Sequence, residues 1–451
     1  MHFGLEPYIA PLEFAGFIAV FLLSVFWRPI LGIYFLLPLI PLQTIRYRMN
    51  SLPLGESVVG IILLGVLLGV LRRGQPILPK TPWTKLLLFY ALLTYVSLVM
   101  GSFYFGRPLP LPGDVRFGVW QDYMTMPALL LLTAAVSPTK QQMKYIVLIM
   151  CLTTFALDHS YWDVVSGRDY SRYSDDLREG GGMGYAGPNG LAAFEAQIAT
   201  FMLVLAGFER KIILRIGYYL LAGFSAVCLV YSLSRGGYVA FVVGCLFVGI
   251  LKQRKLLVLL AVLYFTWTSV VPQAVQDRVA MSYDEQKGTL DHSSETRLTL
   301  WEDAVEMFHS SPVLGTGFNT YAYMHRIGNY EDTHNYFLKV LVETGIIGLL
   351  TFFWLLVKTV RTGYRLYRKT TDPFLASLGL GLAAWTVTSI VANCFGDRWT
   401  FLQINGYMWV LGGLVSQAWV IERSTNSETS EEHSVPSDSS IVLGTTPSQA
   451  Y

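Results

Sequence analysis

Apolar residues in this chain fall in long blocks rather than in strict alternation or in short amphipathic stretches. The blocks lie near 10–27, 30–43, 54–71, 85–104, 118–136, 145–165, 187–207, 213–232, 237–251, 255–272, 335–357, 374–394 and 400–420. About 20 consecutive apolar residues cross a bilayer as a helix, so the pattern predicts 12 or 13 transmembrane helices. The number turns on whether the first two runs, parted only by Trp27-Arg28-Pro29, form a hairpin or one broken element. One polar interval, 273–334, is long. Within it, 294–309 places Leu298, Trp301, Val305 and Phe308 on one helical stripe. Ser293, Ser294 and Glu295 supply capping chemistry, Ser311-Pro312 stops the helix, and Gly315-Thr316-Gly317 turns the chain. This reads as an amphipathic helix lying over the membrane domain. Residues 423–451, rich in Ser, Thr, Glu and Pro without periodicity, read as a disordered tail. The expected organisation is an N-terminal bundle of about ten spans (1–272), an outer loop (273–334), C-terminal membrane helices (335–422) and the tail. The fold class is an all-α integral membrane protein with one long, partly helical periplasmic loop.

Composition narrows the class. The 451 residues are 53% hydrophobic and 14% charged, with mean hydropathy +0.44. A soluble chain carries about 25% charged residues. A soluble enzyme, a disulfide-stapled secreted domain and a disordered protein are all excluded. The net charge of +2 divides into −4 over 422–451 and +6 over the rest, too small an excess to argue nucleic-acid binding. Its placement points to membrane orientation instead. Five short segments on one side, beginning with Arg72 and Arg73 and ending with Arg368 and Lys369, hold 17 basic residues. The longer connections on the other side hold 11, of which only Lys287 is a lysine. Loop 273–334 is therefore expected outside the cytoplasmic membrane and the tail inside. A reporter fused after Ser424 should be cytoplasmic and one inserted near Lys287 extracytoplasmic; finding both on one side would overturn the alternation. Four cysteines (Cys151, Cys228, Cys245, Cys394) lie in or at the ends of apolar runs without CxxC or CxxH spacing, which argues against a disulfide framework and a zinc site.

Several polar residues at the outer ends of spans carry candidate chemistry. His334 opens the run THNYFLKVLVETGIIGLL, with Leu338, Leu341, Gly345 and Gly348 on its stripe. The two glycines predict close approach of a neighbouring helix, which would set the imidazole at the mouth of a tight seam. The plainer alternative is an interfacial histidine that only caps a span. Asn335 adjoins it, and Lys339 and Glu343 read as a self-neutralising intrahelical pair. Arg235 sits in Ser234-Arg235-Gly236-Gly237, a connection short enough to be a tight turn, where Ser234 is placed to cap the next helix. A helix N-terminus with an adjoining arginine suits a phosphate; the alternative is an arginine snorkelling to the interface. Gly187-Pro188-Asn189-Gly190 opens another span, with Pro188 suited to a first turn. Glu195, two turns further in, is expected to pair with an arginine of the site. There is no D-x-D, H-E-x-x-H or P-loop. Arg235, Arg297 and His334 fall on one predicted face of the membrane. They suit an anionic, lipid-anchored substrate whose pyrophosphate is held by arginines, with a neutral histidine receiving a hydroxyl proton.

Four pieces in order resemble the C-terminal signature of the O-antigen ligase/polymerase superfamily of bacterial membrane glycosyltransferases. They are Gly187-Pro188-Asn189 with Leu191-Ala192, the Ser234-Arg235-Gly236 turn, Arg297-Leu298-x-x-Trp301-x-x-Ala304 running on to Pro312-x-x-Gly315-x-Gly317, and His334-Asn335 followed by Gly345 and Gly348. The ordered match covers about 187–350. The resemblance implies a metal-independent, inverting glycosyltransferase without cofactors. It would take a glycan from undecaprenyl pyrophosphate on the outer face of the inner membrane, with a lipid or glycan acceptor. By position, Arg235 and Arg297 would bind the donor diphosphate, and His334 would activate the acceptor hydroxyl. Asn335, Asn189, Glu195 and Ser234 would support them. Flippase or export proteins are the partners it suggests. Lipid A-core ligation, repeat polymerisation and protein glycosylation all remain open. A solute or anion transporter would also place arginines on the outer face. Against it, the ionisable residues cluster at span ends rather than mid-bilayer, and no internal repeat is visible. A non-catalytic scaffold of a polysaccharide-export complex is the third reading.

Overall fold

The computed structural model describes residues 6–183, 185, 187–281, 283–284, 289–290 and 292–432. Its α-helices are α1 (Glu6–Phe26), α2 (Ile30–Leu39), α3 (Gln43–Met49), α4 (Val58–Arg72), α5 (Thr84–Tyr104), α6 (Val115–Ala135), α7 (Lys140–Val165), α8 (Pro188–Phe208) and α9 (Ile212–Tyr231). They continue with α10 (Arg235–Leu251), α11 (Arg254–Val270), α12 (Gln273–Ala280), α13 (His292–Ser310), α14 (Thr320–Met324), α15 (Tyr336–Lys369), α16 (Pro373–Asn393) and α17 (Leu402–Glu432). A two-residue strand pair, Tyr283–Asp284 with Thr289–Leu290, precedes α13. The protein is an all-α membrane protein. A helix lies on each of the thirteen apolar runs. Among the described residues, seven helices are long and apolar enough to cross a membrane, and nine when each bent pair counts as one span.

Two of the apolar runs, 30–43 and 255–272, end in sharp bends that lead straight into a further short helix. α2 and α3 meet at 103°, and α11 and α12 at 109°. Both breaks contain prolines, Pro41 and Pro272, which lack the backbone N–H. Before Pro41, Ile40 stays helical and the chain turns at Leu42 (φ −90°, ψ 73°), whereas Pro272 pushes its predecessor out of helical geometry. Val271, just before Pro272, is extended (ψ 147°). α8 and α16 form the buried centre of the bundle, while little of α1 is buried, as in lipid-facing helices. At the other end, α17 continues to Glu432, ten residues past the boundary expected at 422. A packed span has already met the cost of helix nucleation, so adding turns to it is easy. The disorder expected for the remainder, 433–451, falls outside the described residues.

α13 forms where expected and stops at Ser310, but a different face is buried. Leu300, Ala304 and Met307 pack inward with Asp303, whereas Leu298 and Val305 stay exposed. The inward set meets Tyr321 and Val342, so the helix packs on the following loop and on α15 rather than lying loosely over the bundle. Arg326 Nε donates to Asp303 Oδ1 at 2.7 Å, and Tyr321 donates to the same carboxylate at 3.2 Å.

The Gly345 stripe serves a purpose the periodicity did not reveal. α15 is interrupted at Gly345 (φ 65°, ψ −170°), and the segment that docks there is loop 312–317, not a helix. Thr316 and Gly317 donate their amides to Val342 and Glu343 carbonyls at 2.9 Å, and Ile346 donates to Pro312 O at 3.0 Å. Ser97 of α5 adds a bond to Glu343 O at 2.8 Å. A helix can break at membrane depth only where its freed backbone groups find such partners. A Cβ on Gly345 would lie 2.2 Å from Val313 O, and one on Gly315 would lie 2.3 Å from the Glu343 carbonyl carbon. Gly315→Ala and Gly345→Ala should therefore abolish or sharply reduce folded protein. Gly60→Ala, which meets nothing within 4 Å, should not. Detergent-solubilised yield and melting temperature check this.

Candidate functional site

α8 and α10 begin side by side at one end of the bundle. Gly187 caps α8 at φ 90° and Pro188 starts it. Gly236 and Gly237 let α10 approach closely: added Cβ atoms would meet Phe395 at 2.9 Å and Ala192 at 2.7 Å. Ser234 does not cap α10 with its side chain. Its hydroxyl instead donates to Asn189 Oδ1 at 2.8 Å, tying the two helix starts together, and Arg178 Nη2 donates to the same oxygen at 3.2 Å.

These helix starts open into a cavity of about 210 Å³ lined by Arg178, Arg235, Arg278, Arg297 and Arg398, with no acidic residue in its lining among the described residues. The five arginines come from a loop, α10, α12, α13 and the α16–α17 connection, so tertiary structure alone assembles them. The cavity unites Arg235 and Arg297, with Asn189 and Ser234 beside them. Arg178, Arg278 and Arg398 escaped the sequence reading, since each stands alone in a connection or short helix. Arg278 is braced over the Tyr173 ring at 5.1 Å, and the Nε of Arg178 is buried without a protein acceptor. Burial weakens the proton affinity of Arg398, while Asp332 and Asp397 oppose that effect. Concentrated guanidinium groups at helix N-termini bind anions, phosphate esters above all.

His334 lines a neighbouring cavity of about 400 Å³ with Asp332, Lys339, Asp397 and Tyr330. Its Nδ1 lies 2.8 Å from Asp332 Oδ1, and its own amide also donates to that oxygen at 2.6 Å. Asp332 lies two residues upstream and went unnoticed in the sequence. Burial alone would raise its carboxyl, but the hydrogen bond and charge of His334 prevail and hold it well below the usual carboxylate range. In the neutral ring, Nδ1–H directed at that carboxylate leaves Nε2 as the acceptor. Asn335 is placed differently: its Oδ1 caps α15, accepting from Phe337 N at 3.0 Å and Leu338 N at 3.4 Å. The two cavities are mechanically linked. Trp301, one turn beyond Arg297 on α13, donates its indole N–H to Thr333 O at 3.1 Å, next to His334.

Two expected pairings are corrected. Glu195 does not meet an arginine: it is fully buried against Asp158 of α7, to which Ser225 donates at 2.7 Å. Two turns into α8, Glu195 no longer lines the cavity, whose lining from this helix is Asn189 and Ala193. Lys339 and Glu343 are not a self-contained pair either. Lys339 Nζ reaches Asp397 Oδ2 at 3.0 Å, and Glu343 accepts from the Asn319 amide at 2.9 Å. Each therefore fixes a loop to α15. Asp397→Ala would strand a buried lysine, a loss of about 3–5 kcal/mol, and should lower the melting temperature of the purified protein far more than Asp397→Asn.

Residues 220–353 match the family model described as O-antigen ligase. No curated protein matches the chain. The matched segment holds Arg235, Arg297, His334 and the loop that docks at Gly345, so over 220–353 the chain is similar to the O-antigen ligase family, whose members are of the glycan-transferring ligase/polymerase type.

Proposed function

We propose that the protein transfers a glycan from an undecaprenyl-pyrophosphate donor to an acceptor hydroxyl at the outer face of the inner membrane. The observation that carries this reading is the cavity of five arginines beside the Asp332–His334 pair. The arginines hold the diphosphate, and His334 Nε2 takes the acceptor's hydroxyl proton as its oxygen attacks the anomeric carbon. A new C–O bond forms there, and the bond to the diphosphate breaks with its electron pair left on the phosphate oxygen. The guanidinium groups neutralise that developing charge, the task a divalent metal performs in other transferases, so the reading is metal-independent. Attack opposite the leaving diphosphate inverts the anomeric centre.

The Lys/Arg asymmetry supports the outer-face assignment. Ligation to lipid A-core, repeat polymerisation and protein glycosylation share this chemistry and differ in acceptor. The test is the lipid-linked glycan profile of a deletion strain, followed by transfer with purified enzyme in EDTA. Accumulated pyrophosphate-linked glycan in the strain and EDTA-resistant transfer in vitro are expected. An unchanged profile would overturn the reading, and EDTA inhibition reversed by a divalent cation would overturn its metal-free form.

A further inference from the structure

The connection between α16 and α17 borders three cavities. Phe395 and Arg398 line the arginine cavity, Asp397 and Phe401 line that of His334, and Thr400 to Gln403 line a third of about 460 Å³. The first and third share no lining residue, whereas the second shares Thr400 and Phe401 with the third. The histidine cavity therefore adjoins the third cavity directly. Its contact with the arginine cavity is the peptide link from Asp397 to Arg398.

The third cavity differs in chemistry from the first. α3, the arm produced by the 103° break after α2, supplies Gln43 and Arg46. α6 supplies Gln121 and Asp122, and the turn before α4 supplies Glu56. Charges of both signs and several amides stand where the charged groups of the first cavity are arginines. Gln43 is 3% exposed. Its Oε1 accepts from Tyr47, but its Nε2 is buried without a partner, as is the Nε of Arg46. Buried amide donors left unpaired in a concave site ask for a ligand. Interleaved donors and acceptors beside the rings of Tyr47 and Phe401 suit a group rich in neutral hydroxyls rather than a phosphate.

We infer that this third cavity is a saccharide subsite and that it holds the sugar of the acceptor. The inference rests on the glycan-transfer reading. In-line attack requires the incoming hydroxyl to approach opposite the leaving diphosphate, and this cavity shares Thr400 and Phe401 with the cavity of His334 but no lining residue with that of the five arginines. The break after α2 then has a use: it swings a polar arm over the cavity where a straight span would have continued into the membrane.

The test uses full-length enzyme in nanodiscs. The substrates are lipids from the deletion strain, separated into a pyrophosphate-linked donor fraction and the remaining acceptor fraction. For Gln121→Ala and Gln403→Ala, the acceptor fraction giving half-maximal rate should rise about tenfold, the loss of one or two good hydrogen bonds. The donor requirement should stay within twofold. A rise in the donor requirement instead would assign the sugar to the donor and overturn the acceptor assignment. Wild-type dependence on both, with an active enzyme, would overturn the subsite and leave glycan transfer standing. A wild-type enzyme that transfers nothing would remove both. As a control for folding, Gln121→Cys carrying a bulky thiol reagent should lose transfer yet bind undecaprenyl pyrophosphate normally. Full transfer after that modification would also overturn the proposal.

Discussion

Replacing His334 with alanine is expected to lower transfer by about 10²–10⁴-fold, the usual contribution of a general base, while donor binding changes little. The separation follows from the geometry: the imidazole and the arginines line different cavities. Asp332→Asn provides a graded companion. An amide can still accept from Nδ1–H, but it supplies no charge to stabilise the imidazolium formed when the acceptor proton arrives. Turnover should fall less than in His334→Ala, with donor affinity retained. Asn335→Ala should act through the cap it provides to α15, costing about 1 kcal/mol of stability and little turnover per folded molecule. Single-turnover rates and undecaprenyl pyrophosphate binding separate these outcomes. Near-normal turnover in His334→Ala would return the residue to the role of a helix-end histidine.

Helix positions were legible because hydropathy is the signal that a bilayer reads, and each apolar run carries a helix. Arg235, Arg297 and His334 were legible because each sits in a short pattern with glycine, proline or tryptophan at fixed distances. The rest of the site lacked such a signal. Arg178, Arg278 and Arg398 lie in three separate stretches of sequence, and only the packing of α8, α10, α12 and α16 brings them to one cavity. Asp332 sits in a loop, where spacing carries no facial information. Gly345 shows the opposite error. Its period with His334 is real but predicts a groove for a helix, because helical periodicity assumes an unbroken helix and α15 is broken there. Glu195 was legible as a costly buried carboxylate, yet the ionisable residue beside it is Asp158 and not an arginine, a neighbour no local pattern connects to it.

Arginine-to-lysine substitutions should divide by cavity rather than by motif. In the pair Arg235→Lys and Arg297→Lys, positive charge is kept but the planar fork that grips two phosphate oxygens is lost. Each charge-assisted bond contributes about 1.5–3 kcal/mol, so each variant should weaken undecaprenyl pyrophosphate binding by about 10–100-fold and lose most transfer activity. The arginine cavity extends this expectation to Arg278→Lys and Arg398→Lys, which no sequence motif singles out. Arg107→Lys, an exposed outer-loop change outside that cavity, should behave as wild type. Undecaprenol, which has the same chain without the diphosphate, should bind all five variants alike. This pattern would tie the loss to the phosphates rather than to the lipid tail or to misfolding. Should Arg278→Lys and Arg398→Lys bind undecaprenyl pyrophosphate as the wild type does, the diphosphate would be held by Arg235 and Arg297 alone. Wild-type binding in all four would leave the cavity without its assigned ligand.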